Sequence, residues 1–193
     1  MSVPLNFNDF QCRLESRVPV LLSARQRASV AIILGRWDGG TRVLFIRRAE
    51  HPNDPWSGHM AFPGGRKDPT DPDDLATAKR ETFEEVGLDL DRQAILLGRL
   101  DDITATARGR IVDMVIAPFV FSVETATPIV PTAEVVSTVW APIQPLFNGD
   151  FQVTHWVDLP EGRTGLPAWD IDGNIVWGLT FRMLTTLLSL VRQ

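Results

Sequence analysis

Apolar and polar positions along the chain follow two spacings. Ala28-Ser29-Val30-Ala31-Ile32-Ile33-Leu34-Gly35 is an almost unbroken apolar run of strand length, stopped by Asp38-Gly39-Gly40. Val43-Leu44-Phe45-Ile46 then reads as its hairpin partner. Further strands are predicted at Leu96–Leu100, Asp113–Val123, Val135–Trp140 and Phe151–Val157, and Asp172-Gly173-Asn174 predicts a small hairpin turn. Helical signals are fewer. Asp73 or Asp74 as N-cap and Gly87 as C-cap frame a helix ending at about Val86. A second helix is predicted from about Leu179 to Val191, and a short leading one around Phe7 to Ser16. The stretch His51-Pro52-Asn53-Asp54-Pro55-Trp56-Ser57-Gly58 is a loop rich in turn formers. One helix between strands and another at the end are too few for a doubly wound sheet. The expected class is α/β or α+β, a sandwich, in a single domain over residues 1–193.

The helix ending at Val86 changes the picture. At about 100° per residue, Glu81, Glu84 and Glu85 fall within an arc of about 100°. Leu75, Thr82, Phe83 and Val86 lie on the other side, the side expected to pack on the sheet. Like charges so placed destabilise an isolated helix by a few tenths of a kcal/mol per pair. A bare Glu-x-x-Glu-Glu is in itself an ordinary solvated acidic face. Two neighbours shift that reading. Arg80, four residues before Glu84, can orient it by a charge-assisted hydrogen bond. Phe62-Pro63-Gly64-Gly65 supplies a tight loop whose bare backbone can approach a ligand and offer a carbonyl to a metal. Magnesium or manganese takes carboxylate oxygens and leaves positions open for phosphates.

The segment from Gly65 to Leu88 resembles the Nudix box, Gly-x5-Glu-x7-Arg-Glu-U-x-Glu-Glu-x-Gly-U with U aliphatic. Arg80-Glu81-Thr82-Phe83-Glu84-Glu85-Val86-Gly87-Leu88 fits its back half, with Thr82 in place of the aliphatic residue. In the front half Asp71 stands for the first Glu, and one extra residue precedes Arg80. The resemblance implies a Nudix-type α/β/α sandwich with a mixed β-sheet and a hydrolase of nucleoside diphosphates linked to another moiety, dependent on Mg2+ or Mn2+. It implies Glu81 and Glu85 as leading metal ligands, Glu84 as an additional one and the Gly65 carbonyl completing the shell. The cations would neutralise the diphosphate, lower the pKa of a water and stabilise the leaving phosphate. A carboxylate would take the proton: Glu81 is one candidate, and Glu134, before Val135–Trp140, is the best outside the box. Asp101 and Asp102 read as turn residues.

Gly58-His59-Met60-Ala61-Phe62-Pro63-Gly64-Gly65 is similar to the Gly-x3-Phe-Pro-Gly-Gly of the coenzyme A pyrophosphatase branch. The longer box, the Asp at 71 and Trp177-Gly178-Leu179-Thr180 also resemble that branch. Its upstream signature departs, with Asp54 at the position of an Arg and Glu50 at that of a Ser, an unfavourable exchange beside a polyanion. Arg47, Arg48 or Arg66 can take over phosphate contact, and Phe62, Gly64, Arg47 and Arg66 are the expected substrate-binding residues. Coenzyme A or a thioester derivative ranks first, ahead of ADP-ribose, a nucleotide sugar or another dinucleotide. A non-catalytic nucleotide-binding module is the rival from another class.

Composition narrows the rest. The net charge of −5, without a basic run, disfavours nucleic acid as a partner. No apolar run approaches the roughly 18 residues that span a bilayer. The start, Met1 to Phe7, lacks the pattern of a signal peptide, and the single Cys12 excludes an internal disulfide, so the cytoplasm is the expected location. His51, His59 and His155 have no metal-type spacing, and Trp56, Trp156 and Trp169 read as loop packing before base stacking. Leu184, Leu187, Leu188 and Val191 read as core or as the face of a homodimer.

Overall fold

Alternation along the first long strand decides which side of the sheet the acidic helix takes. Strand β1 (Gln26–Trp37) sends Ala28, Ile32 and Leu34 into one buried cluster, and Ala31 and Ile33 into another. A strand buried on both faces needs a layer on each. The computed structural model describes residues 5–192 except 38, 53, 108, 125, 126 and 161. Within it β1 pairs antiparallel with β2 (Gly40–Arg48) and parallel with β7 (Arg110–Val123). Outside these lie β3 (Met60–Ala61) on β2 and β5 (Ala94–Arg99) on β7. Three more strands complete this mixed sheet: β4 (Gly64–Arg66) on β1, β6 (Ile103–Ala107) on β7 and β8 (Val135–Pro142) on β2. A second, antiparallel sheet holds β9 (Gln152–Leu159), β10 (Gly162–Ile171) and β11 (Asn174–Trp177).

Helices cover both faces of the larger sheet. On one, α1 (Phe7–Glu15) and α5 (Gly178–Leu190) bring Phe10, Leu14, Leu184 and Leu187 against Ile32 and Phe45. On the other, α2 (Asp74–Val86) packs Ala78 and Val86 on Ala31, Ile33, Leu44 and Ile46. The result is the α/β/α sandwich with a mixed sheet that the resemblance implies. Two short helices, α3 (Leu90–Gln93) and α4 (Ile143–Asn148), sit in connections. The apolar positions of α5 are spent in the core, with Leu184 and Leu187 fully buried, and so do not form a free dimer face.

The predicted punctuation holds where it is described. Asp73 caps α2 through its carboxylate, which accepts the Ala76 N–H at 2.8 Å, and Gly87 ends the helix in the left-handed conformation at φ 68°. The β1–β2 hairpin pairs Leu34 with Val43 and Trp37 with Gly40. Asp38 of its turn, Asn53 of the following loop and the first four residues lie outside the described residues. Asp172 and Gly173 form the turn between β10 and β11, where Ile171 pairs with Asn174.

Candidate active site

The diglycine bend and the acidic helix meet through backbone and side chain. Gly64 donates its N–H to the Glu85 carboxylate at 2.8 Å. A Cβ built on Gly65 would stand 2.4–2.5 Å from the carboxyl end of Glu81, so the missing side chain leaves the space that Glu81 fills. The bend is itself a strand, β4, paired with β1. Ladder bonds on either side, Ala31 N–H to Pro63 O at 2.8 Å and Lys67 N–H to Arg27 O at 2.9 Å, flank the Ser29–Gly65 pair. By the alternation of an antiparallel ladder that pair is a hydrogen-bonded one, so the Gly65 backbone is turned towards β1 and the Gly64 N–H away from it.

Glu81 and Glu85 differ from Glu84. The Glu85 side chain is 3% exposed, and burial pushes its pKa up to about 7. Burial also raises Glu81, against the pull of Arg80. Glu84 is 55% exposed and turned to Arg80, 2.8 Å away. The three acids of the predicted arc therefore do not converge: two meet at the bend, and the third faces out. Among the described residues no group of three or more Asp, Glu, His or Cys side chains is arranged around one metal position.

Arg80 organises the front of the helix. Its guanidinium donates to Asp71 through Nε at 3.0 Å and Nη2 at 2.8 Å, to Glu81 at 3.0 Å and to the Arg66 carbonyl at 3.1 Å. Asp71 is buried and also accepts from the Asp68 N–H and the Thr77 hydroxyl. Those bonds, the Arg80 pair foremost, hold its carboxyl far below the usual range. Asp71, on its longer loop, thus reaches the same arginine that precedes the glutamates. Thr82, the departure from the aliphatic pattern, is fully buried. Its hydroxyl bonds the Ala78 carbonyl at 2.7 Å, which lets a polar residue occupy an apolar position.

Outside the helix, Arg48 and Glu134 approach. Arg48 donates to Glu85 at 3.5 Å and to Asp54 at 2.8 Å. Asp54, the charge reversal noted in the sequence, is therefore neutralised by a neighbour. The segment before β8 is tied to the end of α2 by Val130 N–H to Val86 O at 2.9 Å and Thr132 N–H to Glu85 O at 3.0 Å. It carries Glu134, exposed, whose charge raises both Glu81 and Glu85. Sequence spacing could not show Arg48's contact, because it depends on strand parity.

Several predicted contacts are corrected. Arg47 is exposed and shares the strand parity of Val43 and Phe45, whereas Leu44, Ile46 and Arg48 face α2. Phe62 is 1% exposed and stacks on Phe45 at 5.2 Å, a core residue out of reach of a substrate. Arg66 has an exposed side chain and offers its carbonyl to Arg80. Phe83, expected against the sheet, is 58% exposed; the buried arc of α2 runs through Thr77, Ala78, Thr82, Glu85 and Val86 instead. Asp101 and Asp102 serve as tethers for the chain before β1, bonding Val20 and Leu22 N–H groups and Arg17, Arg27 and Arg99. His59 and His155 both lie against the Trp177 ring, at 4.9 and 5.0 Å. Trp169 packs on Phe181, and Trp156 is exposed. Thr180, of the Trp-Gly-x-Thr element, bonds the Met60 carbonyl at 3.1 Å and so ties α5 to β3, just ahead of the bend.

The donor set suits a hard divalent cation. Two carboxylates, one of them buried and pushed by that burial up to about 7 against the pull of Arg48, stand at a glycine bend. Magnesium commonly binds through one or two carboxylates and keeps several waters.

Fold and site together define a sandwich protein that presents acidic oxygens at a backbone bend. The NUDIX domain matches residues 25–158, and the chain belongs to the Nudix family. It is 31% identical over 157 residues to human mitochondrial coenzyme A diphosphatase NUDT8, covering 79% of this chain and 64% of that one. Nudix hydrolase 22, chloroplastic, of Arabidopsis thaliana is 25% identical over 191 residues, 93% of this chain and 59% of that one. Uncharacterized protein C14C4.10c of Schizosaccharomyces pombe is 38% identical over 123 residues, 60% of this chain and 36% of the relative. The chain thus spans less than two thirds of each of these relatives. Among solved structures, a NUDIX hydrolase from Alicyclobacillus acidocaldarius has a TM-score of 0.53 at 18% identity, covering 85% of this chain and 91% of that one. A MutT/nudix family protein from Enterococcus faecalis has a TM-score of 0.54 at 14% identity, covering 96% and 68%. These two share the fold.

Proposed function

We propose that the chain hydrolyses the diphosphate bond of a nucleoside diphosphate-linked compound, with Mg2+ or Mn2+ held by Glu81 and Glu85. The observation that carries this reading is the meeting of those two side chains at Gly64-Gly65, one bonded to the bend and the other filling the space beside it. A cation bound there would draw charge from the diphosphate and acidify a water. The chain's own residues supply the rest. Arg80 orients Glu81 and Glu84; Glu84 serves as an outer ligand once it leaves that arginine. Glu134, exposed beside the pair, is the best-placed base to accept a proton. Arg48 takes over from Arg47 as the cation nearest the phosphates. The Gly65 carbonyl expected to complete the shell is turned towards β1, so Gly64, whose backbone faces away from that strand, offers the remaining oxygen.

Coenzyme A or a thioester derivative is the first-ranked substrate. In its support stand the Phe-Pro-Gly-Gly bend, the Trp177-Gly178-Leu179-Thr180 element and the likeness to coenzyme A diphosphatases, among them mouse peroxisomal coenzyme A diphosphatase NUDT7, 64% identical over 31 residues. Pairing of Asp54 with Arg48 removes the objection that its charge would repel a polyanion. ADP-ribose, a nucleotide sugar or another dinucleotide is the second reading. We take residues 1–193 as one Nudix unit, because α1 and α5 share a core with β1 and β2. The cytoplasm remains the proposed location on the strength of the single cysteine, exposed Cys12. No helix among the described residues is long and apolar enough to cross a membrane.

Hydrolysis of coenzyme A, ADP-ribose and a nucleotide sugar in one assay, with and without magnesium, tests both levels. Magnesium-dependent turnover highest on coenzyme A is the expected result. A folded sample that turns over none of a wider dinucleotide panel would overturn the enzyme reading in favour of a binding module. Equal, poor rates on the three would remove the substrate ranking alone.

A further inference from the structure

Ser29 is fully buried, and its Oγ has no hydrogen-bond partner among the described residues. Buried polar groups are seldom left so, and each asks for a reason. Its neighbours on β1 fix where the side chain lies. Ala31 and Ile33, at the same parity, belong to the cluster beneath α2, while Ala28, Ile32 and Leu34 belong to the other face. Ser29 therefore faces the acidic helix.

The register carries the argument further. Ser29 pairs directly with Gly65. Opposed residues of an antiparallel pair project to one face, with Cβ atoms about 4.5–5.5 Å apart. The Cβ position of Gly65 lies 2.4–2.5 Å from the carboxyl atoms of Glu81. The Ser29 side chain and the Glu81 carboxylate thus border the same small space, the one vacated by the glycine. In the conformation described, Glu81 accepts from Arg80 at 3.0 Å, on its outer side.

We propose that Ser29 is a positioning residue for Glu81: its hydroxyl donates to that carboxylate when Glu81 turns to take up the cation. This rests on the metal-dependent reading above. A carboxylate that gives an oxygen to a cation must have its orientation fixed, and partners just behind the ligands commonly do this for metal sites. Ser29 is suited because its hydroxyl has no other commitment and a serine rotor turns freely between staggered positions.

The test is Ser29→Ala, with Mn2+ binding followed by the free-ion paramagnetic resonance signal and thermal unfolding measured on the metal-free protein. Loss of a charge-assisted hydrogen bond is expected to weaken Mn2+ binding about tenfold. The metal-free melting temperature is expected to stay level or rise, since an unpartnered hydroxyl has been removed. Ser29→Thr, which keeps the donor, is expected to hold Mn2+ within about threefold of the parent, a margin well under the 1.4 kcal/mol that a factor of ten represents. Unchanged Mn2+ affinity in Ser29→Ala overturns the proposal. So does a weakened affinity accompanied by a lowered metal-free melting temperature, which marks a packing defect. A parent protein that binds no Mn2+ sinks the metal-dependent reading itself, a result distinct from either.

Discussion

Gly64 gives its backbone N–H to the Glu85 carboxylate at 2.8 Å, so one bond orients the acid and joins helix to bend. Glu85→Gln keeps the shape and an acceptor oxygen but removes the charge. Turnover is expected to fall by at least about 10²-fold through lost electrostatic stabilisation, with the circular-dichroism spectrum unchanged. Activity at the parent level under saturating magnesium would contradict the assignment.

The same substitution has a signature in stability. Glu85 has an ordinary pKa of 4.5 and is pushed up to about 7 by burial in the folded, metal-free protein. The folded state holds its proton more tightly, so Glu85 costs stability progressively as pH rises from about 4.5 to about 7, and the full cost persists above. Urea unfolding of the metal-free parent is expected to show this decline, and Glu85→Gln to lack it. Cation binding runs the other way: Mn2+ affinity of the parent is expected to climb with pH up to about 7 as the proton leaves. A flat affinity between pH 5.5 and 7.5, the range that about two pKa-widths require, would remove the link.

Adjacent glycines are expected to fail in different ways. A Cβ on Gly64 meets the Ser29 carbonyl at 2.3 Å and the Val30 Cα at 2.6 Å, at φ 153°, and backbone cannot step aside. Gly64→Ala should therefore lose about 2–3 kcal/mol in urea unfolding. A Cβ on Gly65 meets the end of the Glu81 side chain, which can swing away. Gly65→Ala is expected to unfold within about 1 kcal/mol of the parent while Mn2+ binding drops by about tenfold or more. Equal destabilisation of both variants would show that the bend, not Glu81, dictates the need for glycine at 65.

Arg80 and Asp71 should behave as a unit. Removing the guanidinium leaves Asp71 buried without its main partner, so Arg80→Ala is expected to cost about 3 kcal/mol. Asp71, depressed by Arg80 above all, contributes stability present above its ordinary pKa of 3.8 and lost as pH falls towards its folded value. Asp71→Asn should therefore flatten the acid limb of the stability profile. Combined with Arg80→Ala it should cost less than the sum of the two, as a double-mutant cycle measures. Strict additivity would deny the coupling.

Much of this was legible along the chain because local signals agreed. Asp73 and Gly87 framed α2 correctly, Gly39-Gly40 marked a hairpin, and the run from Ala28 to Gly35 is a strand with both faces buried. Periodicity places Phe83 on the packed side only if the acids face water; Glu85 instead sits in the buried arc, leaving Phe83 outside. Functional sites are where such local rules are broken. Phe62 adjoins the bend in sequence, but strand pairing turns its ring into the core against Phe45. β3 and β4, two and three residues long, have too few side chains for any period, and exist because β2 and β1 pair with them.

The extra residue before Arg80 and the shortened acid at 71 compensate for one another. A carboxylate with one methylene fewer is carried on a backbone with one residue more, and it still arrives at the guanidinium in a two-pronged grip. The contact is therefore set by an arrival point, not by a count along the chain. Motif searches with fixed gaps will pass over such sequences, whereas a search that trades loop length against side-chain length will gather them.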